Sequence, residues 1–159
     1  LTFIAIVYAI NWVLMDGIGA FTGLNAYVIS STNGAFEGFS LQYILGQIFR
    51  FFAFAIGISW SESLLVGSLL GQKFIVNEFV GYISLAEMKS LGVLSEHAIM
   101  ISTYALCGFA NLSSIGIQIG GIGAMAPSRR EDLSLLGFKA LVGASLTTLM
   151  TAAIAGAIF

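Results

Sequence analysis

The stretch AIMISTYALCGFANLSSIGIQIGGIGAMAP, residues 98–127, contains no Asp, Glu, Lys, Arg or His. It is longer than the roughly 20 apolar residues an α-helix needs to cross the hydrocarbon core of a bilayer, yet its middle does not read as one helix. Asn111, Ser113 and Ser114, flanked by Gly108 and Gly116, are poor helix-interior residues, because short polar side chains compete for the helix's own backbone bonds. A helix broken near CGFAN accounts for them. Broken backbone at membrane depth is tolerated only where protein or a wet cavity surrounds it. The stretch therefore predicts an all-α membrane protein whose interrupted helix borders something polar.

Composition agrees. Of 159 residues, 58% are hydrophobic and 9% charged, with a formal net charge of −2. A soluble domain carries about 25% charged residues, so this balance excludes an ordinary soluble domain and a disordered segment. The absence of a basic patch excludes a nucleic-acid binder. One cysteine (Cys107) and one histidine (His97) cannot make an internal disulfide, a metal cluster or a Ser-His-Asp or Cys-His arrangement. The glycines of GIQIGGIG follow no strand and precede no Lys-Ser or Lys-Thr pair, so they are not a nucleotide loop. No catalytic residue, metal site or cofactor site is expected. Nineteen glycines beside one proline fit close helix packing in a membrane, and Gly19–Gly23 and Ala152–Gly156 have the small-xxx-small spacing that allows it.

Outward from the broken helix, residues 61–97 mix apolar arms with Glu62, Lys73, Glu78, Glu87, Lys89 and Glu96. Two short helices joined at a polar apex fit this pattern, as a re-entrant hairpin. Before it, residues 40–59 read as an interfacial amphipathic helix that Ser40 can cap and Trp60 follows at the membrane boundary. SSTNGAFEG (residues 30–38) is a loop. Residues 1–29 form an opening span in which Asp16 lies towards one end or faces the protein interior. After Pro127, SRREDL holds the only adjacent basic pair, Arg129 and Arg130, which places that loop in the cytoplasm. Residues 134–158 form the last span. The start at Leu1, directly in an apolar helix pattern, is read as the C-terminal part of a longer protein.

Glu78, between the two apolar arms of the hairpin, is costly to bury without partners. It either accepts hydrogen bonds from a polar substrate in an aqueous site, or pairs with Lys73 or lies at the interface. Asn111 and Ser114, three apart, share a face on a helical turn and either recognise a hydroxylated or heterocyclic ligand or join helices by hydrogen bonds. Phe109 stacks on a flat ligand or simply packs. His97 reads as a solvated loop residue.

GQKFIVNEFVGY (71–82), YALCGFANLSSIGIQIGGIGAMAPSRREDL (104–133) and LMTAAIAG (149–156) resemble the concentrative nucleoside transporters, over essentially the whole chain and more weakly over its first sixty residues. The resemblance implies an ion-coupled symporter, driven by Na⁺ or H⁺, that moves nucleosides by alternating access. It implies a homotrimer in a lipid bilayer (a bacterial inner membrane) and inverted repeats whose hairpins and broken helices meet near the midplane. This chain would be the second repeat, residues 40–159, with the coupling cation held in an N-terminal portion. Glu78, Asn111 and Ser114 match residues that contact the ribose, and Phe109 matches an aromatic of the substrate pocket. The alternatives are a structural membrane subunit, whose polar residues only join helices, and a channel with Glu78 in a selectivity ring.

Overall fold

The structure is a computed structural model describing residues 2–159, with side chains from Ile4 onward. All regular elements among the described residues are helical. Two helical stretches, residues 4–22 and 127–158, are long and apolar enough to cross a membrane.

The opening segment starts with α1 (Thr2–Trp12) and widens into a π-helical turn over Val13–Gly19. It continues as α2 (Ala20–Thr22) and α3 (Leu24–Ser31). Leu1, the first residue of the expected span, lies outside the described residues. The span is not continuous. Gly23 has φ +75°, a left-handed conformation that glycine adopts without cost and that stops a helix. This corrects the expected pairing of Gly19 with Gly23. Gly19 lies beneath the Asn25 amide, whereas a Cβ on Gly23 would meet nothing within 4 Å. Asp16 is exposed in the π turn, towards the C-terminal end of the 4–22 stretch and not turned inward. Ser30 and Ser31 close α3 instead of opening the loop.

Two asparagines tie this segment to the rest. Asn25 Nδ2 donates to Met15 O at 2.9 Å, a carbonyl of the π turn, and Asn25 Oδ1 accepts from Phe39 N at 2.9 Å. Asn11 Oδ1 accepts from Leu41 N at 2.8 Å, and Asn11 Nδ2 donates to Gln42 Oε1 at 2.9 Å. Asn11 thus serves an otherwise orphaned donor at the start of α4 (Leu41–Ala55). Ser40 caps the same helix through Tyr43 N.

α4 packs side by side with α5 (Ser63–Ile75) through glycines. A Cβ on Gly67 would sit 2.7 Å from both Arg50 N and Gly46 O, so the two backbones touch. The opposite face of α4 leaves Ile48, Phe51 and Phe54 exposed. α6 (Glu78–Ser90) returns alongside α5, and α7 (Glu96–Leu106) follows. Then come α8 (Leu112–Met125) and the long α9 (Arg130–Ile158), separated by one 3₁₀ turn at Pro127–Arg129. The core lies where α4, α5, α6, α7 and α9 meet, around Val66, Leu69, Ile101, Leu106 and Ala152. Gly156 lies against Ile101. His97 is not in a loop: it sits in the first turn of α7, with Nε2 3.1 Å from Gly156 O.

Glu62 closes the base of the hairpin. Its Oε1 accepts from Ser95 N at 2.6 Å, and its Oε2 from Ser59 Oγ at 2.7 Å and Ser95 Oγ at 3.2 Å. Burial by itself raises this carboxyl's pKa. The Ser95 N–H, the two hydroxyls and the charge of His97 outweigh it and hold the group below its ordinary value.

Two predictions follow from these contacts. Gly67→Ala, which drives a methyl into backbone atoms, should lower stability by about 1–3 kcal/mol, read as an earlier melt of the detergent-purified protein; an unchanged melt would mean α4 and α5 do not touch there. Because the Glu62 pKa is depressed on folding, its contribution is complete above the ordinary carboxylate value of about 4.3. That contribution fades as pH falls through the lowered folded value. The melting gap between wild type and Glu62→Gln should therefore be flat near neutrality and close in acid; a gap that widens in acid would contradict the latch.

Candidate functional site

Two helix breaks meet in this fold. The first is the hairpin tip, Val76–Asn77, between α5 and α6. The second is Cys107–Asn111, between α7 and α8. Each exposes helix-terminal backbone groups that must find partners within an apolar chain.

At the tip, Asn77 caps α6, its Oδ1 accepting from Val80 N at 3.0 Å. Glu78 follows in the first turn of α6, where the helix dipole favours a carboxylate. Val76 O, freed by the end of α5, accepts from Ser113 Oγ at 3.0 Å. The broken helix thus supplies a hydroxyl to the hairpin backbone.

At the second break, Asn111 is almost fully buried, at 1% exposure. It does not share a helical turn with Ser114, as the three-residue spacing predicts; it is the residue before α8, in extended conformation. A capping box explains the spacing. Asn111 Oδ1 accepts from Ser114 N at 2.8 Å, and Ser114 Oγ accepts from Asn111 N at 3.3 Å. The Ser114 hydroxyl donates to Asn111 O at 2.6 Å.

One bond spans the two breaks: Asn111 Nδ2 donates to Glu78 Oε2 at 3.0 Å. Glu78 is half-buried, and no hydrogen bond to its Oε1 is present among the described residues. Lys73 does not pair with Glu78, which disposes of that reading of the carboxylate. Its ammonium turns to Ala105 O and Thr148 Oγ1 instead. Phe109 is 55% exposed. It borders, with Ser114, a cavity of about 180 Å³ between α8 and α9 that Ile115, Gln118 and Leu136 also line.

The sequence candidates thus divide. Glu78, Asn111 and Ser114 form one continuous hydrogen-bonded chain, and Phe109 stands beside it without a polar contact. Sequence reasoning missed Asn77 and Ser113. The order Asn77-Glu78, an N-cap residue followed by a first-turn acid, was a readable signal; the contact of Ser113 with Val76, 37 positions away, left none.

A family model described as "Na+ dependent nucleoside transporter C-terminus" matches residues 1–156. An uncharacterized transporter of Bacillus subtilis, YutK, is 42% identical over 156 residues, covering 98% of this chain and 35% of that protein. Sodium/nucleoside cotransporter 1 of Rattus norvegicus is 38% identical over 136 residues, covering 77% of this chain and 21% of its own length. The solved structure of CNTnw in an inward-facing substrate-bound state superposes with a TM-score of 0.83 at 40% identity, covering 98% of this chain and 35% of that one. A variant of CNTnw in an outward-facing state gives 0.82 at 40% identity, with the same coverage of both chains. The chain thus spans about a third or less of the length of these relatives.

Asn111 has two separable tasks, the cap and the bond to Glu78. Asn111→Ala should cost about 0.5–2 kcal/mol through the lost cap. Asn111→Ser keeps a capping oxygen and should melt close to wild type. Equal destabilisation by both variants would show that the cap is not what the amide supplies.

Proposed function

The chain belongs to the Na⁺-dependent nucleoside transporter family, and on that premise we propose that it is the sugar-binding portion of an ion-coupled nucleoside symporter. The family consists of membrane transporters, not enzymes, and membership displaces the alternatives of a structural subunit and a channel. The observation that carries the proposal is the Asn111–Glu78 bond, which joins a hairpin tip to a helix break and leaves one carboxylate oxygen without a hydrogen bond among the described residues.

The hydrogen-bond inventory defines what docks there. Glu78 only accepts. Asn111 has one amide hydrogen left after bonding Glu78. The Ser114 hydroxyl gives its proton to Asn111 O and accepts from Asn111 N, which leaves one lone pair. A ribose supplies the complement: hydroxyls that donate to Glu78 and Ser114 and accept from Asn111. The base lies against the exposed ring of Phe109. Two helix N-termini, of α6 and α8, converge on the same place, a geometry discontinuous helices provide in transporters.

Alternating access follows from the same contacts. α5, α6 and α8 are joined through Glu78–Asn111 and Val76–Ser113, so hairpin and broken helix move as one body against a scaffold. Similarity to both inward- and outward-facing states of CNTnw supports this reading. The coupling cation, Na⁺ or H⁺, binds in the portion of the relatives that lies beyond this chain. The assembly is a homotrimer in a bacterial inner membrane.

A hydrogen bond to a charged group contributes about 1.5–3 kcal/mol. Glu78→Gln in the full transporter should therefore lower uridine affinity about 10- to 100-fold, measured as uptake in vesicles, and should blunt discrimination against 2′- and 3′-deoxyuridine. Normal uptake with discrimination intact would remove Glu78 from the sugar site.

A further inference from the structure

Lys73 plays no part in that reading, yet it is the one buried charged side chain among the described residues, at 4% exposure. Its ammonium meets no carboxylate: the ion pair among the described residues joins Arg129 to Asp132 on the surface. Instead Nζ donates to Ala105 O at 2.8 Å and to Thr148 Oγ1 at 3.1 Å. The Thr148 hydroxyl spends its own hydrogen on Ser145 O at 2.9 Å, so towards Lys73 it acts as an acceptor.

The carbonyl is informative. Ala105 lies in the last turn of α7, and its helical partner would be the N–H of Phe109, beyond the break. Past Leu106 the backbone turns: Gly108 N bonds Leu106 O at 2.7 Å and Ala110 N bonds Gly108 O at 2.8 Å. The ammonium therefore stands at the negative end of α7 on a freed carbonyl, with a hydroxyl from α9 as second ligand. A half-helix C-terminal carbonyl is the kind of group with which transporters of discontinuous helices coordinate a coupling cation.

We propose that Lys73 is a tethered cation that fixes the CGFAN break between the hairpin and α9, and so positions Asn111 and Glu78. It is a positioning residue: it touches no substrate and acts through the backbone from Ala105 to Asn111. One side chain links α5, α7 and α9, three elements that must keep their register when the hairpin moves. The inference rests on the sugar site proposed above for its effect on affinity, but not for its effect on the break.

The test uses the purified full transporter with two readouts, uridine affinity and the rate at which a water-soluble maleimide alkylates Cys107, followed by peptide mass spectrometry. Cys107 is exposed and lies two residues past Ala105, so it reports opening of the break with or without nucleoside. Lys73→Ala should weaken uridine binding about tenfold and speed Cys107 alkylation several-fold. Butylammonium should reverse both, because a cavity of about 230 Å³ beside Lys73, Phe74 and Thr148 admits it; butanol should reverse neither. Rescue by butanol as well, or by neither, would make Lys73 a packing residue and overturn the proposal. If Lys73→Ala does not fold, Thr148→Val removes only the hydroxyl ligand and should give the same two changes in smaller measure; wild-type values for both would overturn it. Faster Cys107 alkylation without any uridine binding by the wild type would leave the tethered cation standing and reject the sugar site.

Discussion

Backbone groups released by broken helices cannot stay unpaired inside an apolar chain. In lipid no water reaches them, and each orphan costs as much as a lost hydrogen bond or more. This chain breaks two helices in its interior and answers four of the released groups with side chains. Val76 O takes the Ser113 hydroxyl, Val80 N the Asn77 amide oxygen, Ala105 O the Lys73 ammonium and Ser114 N the Asn111 amide oxygen. Charged residues are scarce in this sequence, and at these breaks polar side chains take the role that backbone has inside a helix.

The same economy shapes the candidate site. Asn111 caps α8 with its oxygen and reaches Glu78 with its nitrogen, so one amide serves both fold and site. Functional groups that already hold the fold are held rigidly, and a ligand meeting them pays little to order them. The opening segment follows the same rule. One amide, that of Asn25, bonds Met15 O in the π turn with its nitrogen and the loop at Phe39 with its oxygen.

Packing fixes the relative heights of these breaks. α4 and α5 approach to backbone contact at Gly46 and Gly67, which allows no sliding of one helix on the other without a clash. Outside that contact the chain shows large apolar side chains, among them Phe21, Phe51, Phe138 and Met150. Faces of this kind on a membrane protein are covered by lipid or by more protein. The chain spans about a third of its bacterial relative.

The sequence by itself determined the class and the places where helices fail. Scarce charge required a lipid surroundings, and CGFANLSS and VNEF marked the two breaks because Asn, Ser and Gly favour caps and turns over helix interiors. Glu78, Asn111 and Ser114 stood out for a local reason, polarity in an apolar run. Tertiary structure alone decided who partners whom. It took Lys73 from Glu78 and gave it to Ala105 and Thr148, made Asn111 a cap, broke the first span at Gly23 and set His97 against α9. The contacts of Lys73 and His97, and the bond from Asn111 to Glu78, bring groups 32 to 75 positions apart within about 3 Å. Periodicity and propensity describe neighbours along the chain and carry no such distances.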